Sequence, residues 1–249
     1  LGFNKVLYKQ NKHFTPLDLA ALFWIFDQGI NHDSILVKDT FDQMASLFVD
    51  WKFAEADLRI YLEWAKNDFS GDFIRIITEP EHGRAYTLGL EKAFDLPRGK
   101  VLYFMMEHSN LVRNQSWLYR ANPPYYQHIL VDQGYTHQGQ LLGAGIGGGS
   151  MSQFLGLSLY NQKSFLGIDF QAIRFDDDYF LEMDHGSGQQ ELYNRHQNEF
   201  SLGLKFQRRF QKVSVGAKII NSFYMNRYYI LENNEYNLSI NIQCKYFLN

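Results

Sequence analysis

A strict alternation of apolar and polar residues is the feature that most constrains how this chain folds. Between residues 236 and 247 every second side chain is apolar, and almost all of those between are polar: Tyr236, Leu238, Ile240, Ile242, Cys244 and Tyr246 alternate with Asn237, Ser239, Asn241, Gln243, Lys245 and Phe247. A repeat of two residues is that of a β-strand, whose successive side chains point to opposite faces of a sheet. The segment therefore predicts a strand with one apolar and one polar face.

The same alternation recurs along the chain. Residues 200–207 and 213–219 predict a hairpin around Arg208 to Lys212, and residues 57–64 predict a strand with several ionisable groups on one inner face. Weaker candidates are 41–53, 86–94, 100–108, 154–160, 165–174 and 222–231. Roughly ten such strands predict an all-β fold, a transmembrane antiparallel outer-membrane β-barrel, with lipid on the apolar face and water on the other.

A soluble β-sandwich also has alternating strands, and alternation alone leaves that alternative open. Aromatic residues favour the barrel because they fall near the predicted strand ends, where a membrane barrel carries its two interfacial girdles. These residues are Trp51, Phe53, Trp64, Tyr86, Phe94, Tyr160, Tyr228, Tyr236, Tyr246 and Phe247.

Composition excludes two classes of protein. The mean hydropathy is −0.34 and the longest apolar runs fall short of the ~20 residues of a membrane helix, so the chain is not a helical membrane protein. Net charge is −3 with Lys and Arg scattered, so no basic face for nucleic acid is expected. The single cysteine, Cys244, has no partner for an internal disulfide.

One short helix is predicted from Thr15 to Gly29, with Thr15 as N-cap and Pro16 at the first helical position. It is apolar nearly all round, so it is expected inside the barrel or against its rim, and an ordinary loop helix over an apolar edge remains open. Residues 68–84, 109–128 and 176–196 are polar and rich in turn-forming residues, which predicts loops.

A glycine run matches a dinucleotide-binding fingerprint at Gly143, Gly145 and Gly148, with Asp169 about 20 residues on. That motif needs a helix immediately after the glycines, whereas the residues that follow alternate as a strand. The run instead predicts a tight turn or a close backbone approach, and no cofactor is expected.

No residue pattern indicates a metal centre or an active site. The acidic run Asp176–Asp178 with Glu182 and Asp184 lacks the ligand spacing of a calcium loop, and the histidines lack metal-ligand spacing. Glu79, Glu81 and His82 could supply an acid and a base for glycoside hydrolysis, but sequence does not give their separation. We therefore expect neither a metal nor an enzyme.

The densest group of aromatic and hydrogen-bonding residues lies between 117 and 140. Aromatic faces backed by polar groups suit sugar rings, which present C–H faces and hydroxyl edges together. The alternative is that these aromatics belong to an interfacial girdle. The predicted carbohydrate-binding residues are Trp117, Tyr119, Arg120, Tyr125, Tyr126, His128, Tyr135 and His137.

Three blocks of sequence resemble the capsule-assembly Wzi family of outer-membrane proteins, particularly its Bacteroidota-type members. They run from Asp42 to Phe48, from Glu79 to Gly89 and from Gln133 to Gly147. The resemblance covers residues 41–158 well, and the C-terminal third matches mainly by its barrel pattern. Family chains are longer at the N-terminus, so residues 1–249 are expected to be one domain, the C-terminal portion of a larger barrel.

The resemblance implies a many-stranded barrel, occluded by helical and loop elements, that anchors capsular polysaccharide at the cell surface like a lectin and catalyses nothing. The expected partners are capsular or surface polysaccharide, outer-membrane lipid and other envelope proteins. Two alternatives remain open: a structural subunit of an envelope export or motility assembly, and an outer-membrane hydrolase.

Overall fold

The computed structural model describes residues 1–9, 41–67, 77–114, 116, 124–128, 131–179 and 194–247. The helix predicted from Thr15 to Gly29 and the candidate residues Trp117, Tyr119 and Arg120 lie outside these ranges. Among the described residues, no helix has both the length and the apolar character that crossing a membrane requires.

Among the described residues, ten strands form one sheet, in the order β1-β2-β3-β4-β5-β8-β9-β10-β11-β12, and β6 pairs with β7 as a small separate hairpin. The pairs β1–β2, β6–β7, β8–β9, β9–β10, β10–β11 and β11–β12 are antiparallel. The strands are β1 (Gly2–Lys9), β2 (Phe41–Phe53), β3 (Leu58–Asn67), β4 (Arg84–Leu96), β5 (Lys100–Asn110), β6 (Thr136–His137), β7 (Gln140–Leu141), β8 (Met151–Tyr160), β9 (Ser164–Phe175), β10 (Gln197–Arg209), β11 (Val213–Met225) and β12 (Glu235–Tyr246). The predicted all-β, antiparallel class is confirmed.

Most predicted strands are present, one prediction is wrong, and one strand was not predicted. The hairpin around Arg208 to Lys212 is formed by β10 and β11, which pair from Asn198↔Met225 to Arg209↔Ser214. The strand predicted over 222–231 ends at Met225, because Asn226 adopts a left-handed φ of 50° and a 3-10 turn follows at Arg227–Tyr229. Strand β1 was not predicted, since Lys5 interrupts its apolar face between Phe3 and Leu7.

The connections alternate between short and long along the chain. Turns of three or four residues join β2 to β3, β4 to β5, β8 to β9 and β10 to β11. Connections of nine residues or more join β1 to β2, β3 to β4, β5 to β8, β9 to β10 and β11 to β12. An alternation of short turns and long loops also occurs in outer-membrane barrels.

The described residues divide into two compact units. The first unit comprises Leu1–Val49, Glu63–Tyr86 and Asn110–Ser150, and the second comprises Asp50–Leu62, Thr87–Ser109 and Met151–Asn249. The core of the first unit consists of Met44, Ala85, Leu111 and Tyr125, with partly buried apolar side chains packed around them.

In the second unit the large apolar side chains are exposed and the small polar ones are buried. The strand registers place five apolar residues in one row across β8 to β12, each between 39% and 59% exposed: Leu157, Ile168, Leu204, Ile219 and Ile240. The adjacent row on the other face holds Ser158, Gly167, Lys205, Lys218 and Asn241. This inverts the order of a water-soluble sheet, in which the apolar face is the buried one.

Aromatic side chains of the second unit lie near strand ends. Trp51 and Phe53 stack with ring centroids 4.9 Å apart, and Tyr236 and Tyr246 at the two ends of β12 are both exposed. The strand-end positions of these four aromatic residues are those predicted from sequence.

The sheet has two edges in the described chain. Strand β1 pairs with β2 and β12 pairs with β11, and no pairing between β1 and β12 exists among the described residues. Within the residues that the structure describes, the sheet is therefore open.

Candidate functional site

The predicted sugar-binding residues lie in the connection between β5 and β8, within the first unit. Backbone hydrogen bonds fold its described part tightly: Val131 N donates to His128 O (3.1 Å), Gly134 N to Val131 O (2.7 Å) and Tyr135 N to Tyr126 O (2.9 Å). Val131 packs into the interior beneath this loop, since only 1% of its surface is exposed. The loop thus presents its side chains from an ordered backbone.

Tyr125 is a packing residue of this loop. It is 3% exposed, and its hydroxyl donates to Gly83 O at 3.0 Å. Burial raises its pKa well above the ordinary value for tyrosine, because the phenolate would lie away from water. Tyr125 therefore offers no exposed ring face to a sugar, and its part in the predicted site is to position its neighbour.

Tyr126 is fixed at its backbone and at its hydroxyl group. It has a left-handed φ of 68°, and its hydroxyl accepts the N–H of Ala144 at 3.0 Å. Burial raises the pKa of Tyr126, and the hydrogen bond from Ala144 opposes that shift. A Cβ at Gly143 would lie 2.3 Å from the Tyr126 ring, so only glycine permits this approach.

Three tyrosines form a ladder of neighbouring rings. The ring of Tyr126 stacks on Tyr135 with centroids 6.0 Å apart, and Tyr135 lies 5.4 Å from Tyr8 of β1. The Tyr8 hydroxyl donates to Asp42 of β2, which fixes the last ring. Sequence reasoning missed Tyr8, because it lies more than 100 residues from the loop and only strand pairing brings it there.

Two predicted histidines belong to the same connection as Tyr126 and Tyr135. His137 opposes Gln140 in the β6 and β7 hairpin, and both are exposed. His128 is partly exposed, and its backbone forms an isolated antiparallel β-bridge with that of Val131. Of the predicted residues, the structure brings the rings of Tyr126 and Tyr135 together, with His128 and His137 elsewhere in the same loop.

The glycine run does not have the geometry of a nucleotide site. Residues 143–150 form turns, and strand β8 begins at Met151 where that motif requires a helix. A Cβ at Gly148 would lie 2.3 Å from the carbonyl oxygen of Tyr125. The expected close backbone approach is confirmed.

The block from Glu79 to Arg84 is tied into structural contacts. Glu81 pairs with Arg84 at 2.6 Å, and Arg84 Nη1 donates to Asn110 at 3.3 Å. His82 Nδ1 lies 3.0 Å from Ser116 Oγ. A serine hydrolase uses a contact between these two residue types, and here the histidine is buried. These contacts serve to pack the β3 to β4 and β5 to β8 connections together.

The acidic run after β9 also holds a loop in place. Asp177 Oδ1 accepts from Arg174 Nε (2.7 Å) and from His196 Nδ1 (2.8 Å), while Arg174 Nη2 lies 3.0 Å from His196 Nε2. These contacts tie the residues after β9 to the residue before β10. No group of three potential metal ligands occurs among the described residues.

Ionisable groups line the polar face of the second unit, as residues 57–64 predicted. Arg59 pairs with Asp50 and with Glu91, each at 2.8 Å, and the Tyr61 hydroxyl donates to Glu107 at 2.5 Å. Lys205 of β10 pairs with Asp169 of β9. Such a charged face is compatible with water on that side.

No family model matches this chain. No curated protein matches it. Among solved structures it is similar to Wzi, an outer-membrane protein involved in group 1 capsule assembly in Escherichia coli, described as a carbohydrate-binding β-barrel; the TM-score is 0.59 at 14% identity. The match covers 83% of this chain and 42% of that protein, so the chain spans less than half of its length. At this identity the likeness establishes a Wzi-like fold.

Proposed function

We propose that this chain forms part of an outer-membrane β-barrel that binds capsular or other surface polysaccharide without catalysing a reaction. The observation that supports the membrane location is the apolar row of Leu157, Ile168, Leu204, Ile219 and Ile240, exposed across five neighbouring strands. Water would not favour so continuous an apolar surface, whereas lipid is a suitable solvent for it.

Sugar binding is supported by the tyrosine ladder and by the histidines of the same loop. Tyr126 and Tyr135 are partly exposed, and the exposed parts of their rings can contact the C–H face of a pyranose, while His128 and His137 can hydrogen-bond its hydroxyls. Trp117, Tyr119 and Arg120 belong to the same connection and remain part of the proposed site. The fold likeness to a carbohydrate-binding barrel agrees with this proposal.

The experiment is a glycan array of bacterial polysaccharides followed by calorimetric titration of the best binder with purified full-length protein. Removing the ring in Tyr135→Ala is expected to weaken binding about tenfold, the equivalent of one stacking contact. The matched control is Tyr246→Ala, which removes an equivalent ring from an exposed position at the end of β12, outside this connection, so its affinity should match that of the unmodified protein. An array without hits would contradict the proposal.

A structural subunit of an envelope assembly is the second candidate, favoured by the exposed edge of β12, whose Ile242 is 75% exposed. An unpaired strand edge is a template for another chain or chain segment. Stable co-purification with envelope proteins, together with no affinity for any polysaccharide, would favour this candidate over the first.

A further inference from the structure

A basic cleft lies at the short-turn end of strands β5, β8, β9 and β10, in the second unit. It is open, with a volume of about 420 Å³. Its lining consists of Arg98, Lys100, Asn161, Gln162, Lys163, Ser164 and Arg208. Four of these residues are cations, and no carboxylate is found among the described residues that line it.

The four cations are not neutralised by the surrounding protein. None of them forms an ion pair with any residue that the structure describes. Arg208 lies over the ring of Phe210, with its guanidinium carbon 5.4 Å from the ring centroid, so its orientation is restricted while its charge remains. Four uncompensated cations around one cleft favour an anion there.

The turn between β8 and β9 gives the cleft a fixed backbone. Asn161 Oδ1 accepts the N–H groups of Lys163 (2.9 Å) and Ser164 (2.7 Å), and the carbonyl of Lys163 accepts from Arg209 N (2.7 Å). The side chain of Lys163 takes no part in these bonds, so it can contact a ligand without disturbing the turn.

The position of the cleft relative to the apolar face indicates which anion it accepts. By the period of two, Lys100 lies on the same face as Met106, and Arg208 on the same face as Leu204. Arg208 follows Phe206, an exposed apolar residue of that face, by two positions, or about 7 Å along the strand. The cations therefore lie at the edge of the apolar surface. In a bilayer this edge would lie at the boundary between hydrocarbon and headgroups.

We propose that this cleft binds the phosphate of an anionic phospholipid headgroup, with guanidinium groups of Arg98 and Arg208 and ammonium groups of Lys100 and Lys163 as its donors. The proposal rests on the membrane location given under Proposed function, and it is independent of sugar binding. The ligand chemistry is a phosphate anion, which an inorganic phosphate ion shares, so the test must separate the two sources.

The test uses full-length protein inserted into phosphatidylcholine vesicles, with and without about one third phosphatidylglycerol, and measures phosphatidylglycerol bound per protein by native mass spectrometry after transfer to neutral detergent. In the variant R98Q/K163Q/R208Q, affinity is expected to fall on the order of a hundredfold, about fivefold per cation lost. The matched control K52Q/K212Q/K245Q removes the same charge from exposed positions outside the cleft and should bind as the unmodified protein does.

Equal losses in both variants would overturn the proposal, since they would indicate only general attraction to negative charge. Displacement of the lipid by millimolar inorganic phosphate or by an acidic polysaccharide would also overturn it. If the triple variant fails to insert, the single variant K163Q, expected to lose about fivefold, decides the question. Failure of the unmodified protein to enter any vesicle would contradict the membrane location, whereas insertion without bound phosphatidylglycerol would contradict the cleft alone.

Discussion

At the scale of single residues, the candidate site depends on close contacts that only small side chains permit. The Tyr126 ring lies against Gly143, and its hydroxyl is bonded to the next residue, Ala144. This arrangement sets the angle at which Tyr126 meets Tyr135. The glycine run therefore supports the tyrosine ladder. Its match to a nucleotide-binding motif does not indicate this structural role.

Gly143→Ala tests this role. The added Cβ would lie 2.3 Å from the Tyr126 ring, so the ring must move, at a cost of about 1–3 kcal/mol in the free energy of unfolding. Chemical denaturation in detergent measures the cost, and limited proteolysis reports loosening of the connection. Gly145→Ala is the matched control, because a Cβ there meets no atom within 4 Å. Equal stability of the two variants would contradict the proposed contact.

At the scale of elements, sequence predicts strands where most side chains of one face are apolar over a long run. The segment 41–53 was predicted with the bounds that β2 has, and the β10 and β11 hairpin was also found. Prediction failed at β1, where Lys5 breaks the pattern, and after Met225, where the turn is set by contacts distant in sequence. The site was predicted only within its own loop, since the approach of Tyr8 depends on pairing between β1 and β2.

Asn226 ends β11 by bonding to three other backbone groups. Its Nδ2 donates to Asn194 O (3.0 Å) and His196 O (3.2 Å), and its Oδ1 accepts Glu232 N (2.9 Å). We expect Asn226→Ala to cost about 2 kcal/mol, because these bonds are lost and alanine tolerates the left-handed backbone less well.

Hydrogen exchange measures this effect. Amides of residues 226–234 and 194–199 should exchange faster in Asn226→Ala. The control Asn241→Ala removes an exposed amide side chain from β12 and should leave their exchange unchanged. Unchanged protection in both variants would mean that Asn226 does not hold the β9 to β10 and β11 to β12 connections.

At the scale of the whole molecule, the stability of the sheet depends on which solvent contacts its apolar face. The row through Leu204 is continuous over five strands, while the row beside it carries Lys205 and Lys218. A water-soluble sheet with these two faces would need a second layer over the first. In a bilayer the same face contacts lipid and the charged row contacts water.

Leu204→Arg distinguishes these environments. A charge in the middle of a lipid-facing row costs about 2–4 kcal/mol in the free energy of folding into vesicles. Leu231→Arg is the control, because Leu231 is equally exposed at 49% but lies in the turn after β11, where water can hydrate the charge. Folding into phosphatidylcholine vesicles, followed by denaturant titration, gives both values. If the two variants are equally stable, the row does not contact hydrocarbon, and the membrane location fails.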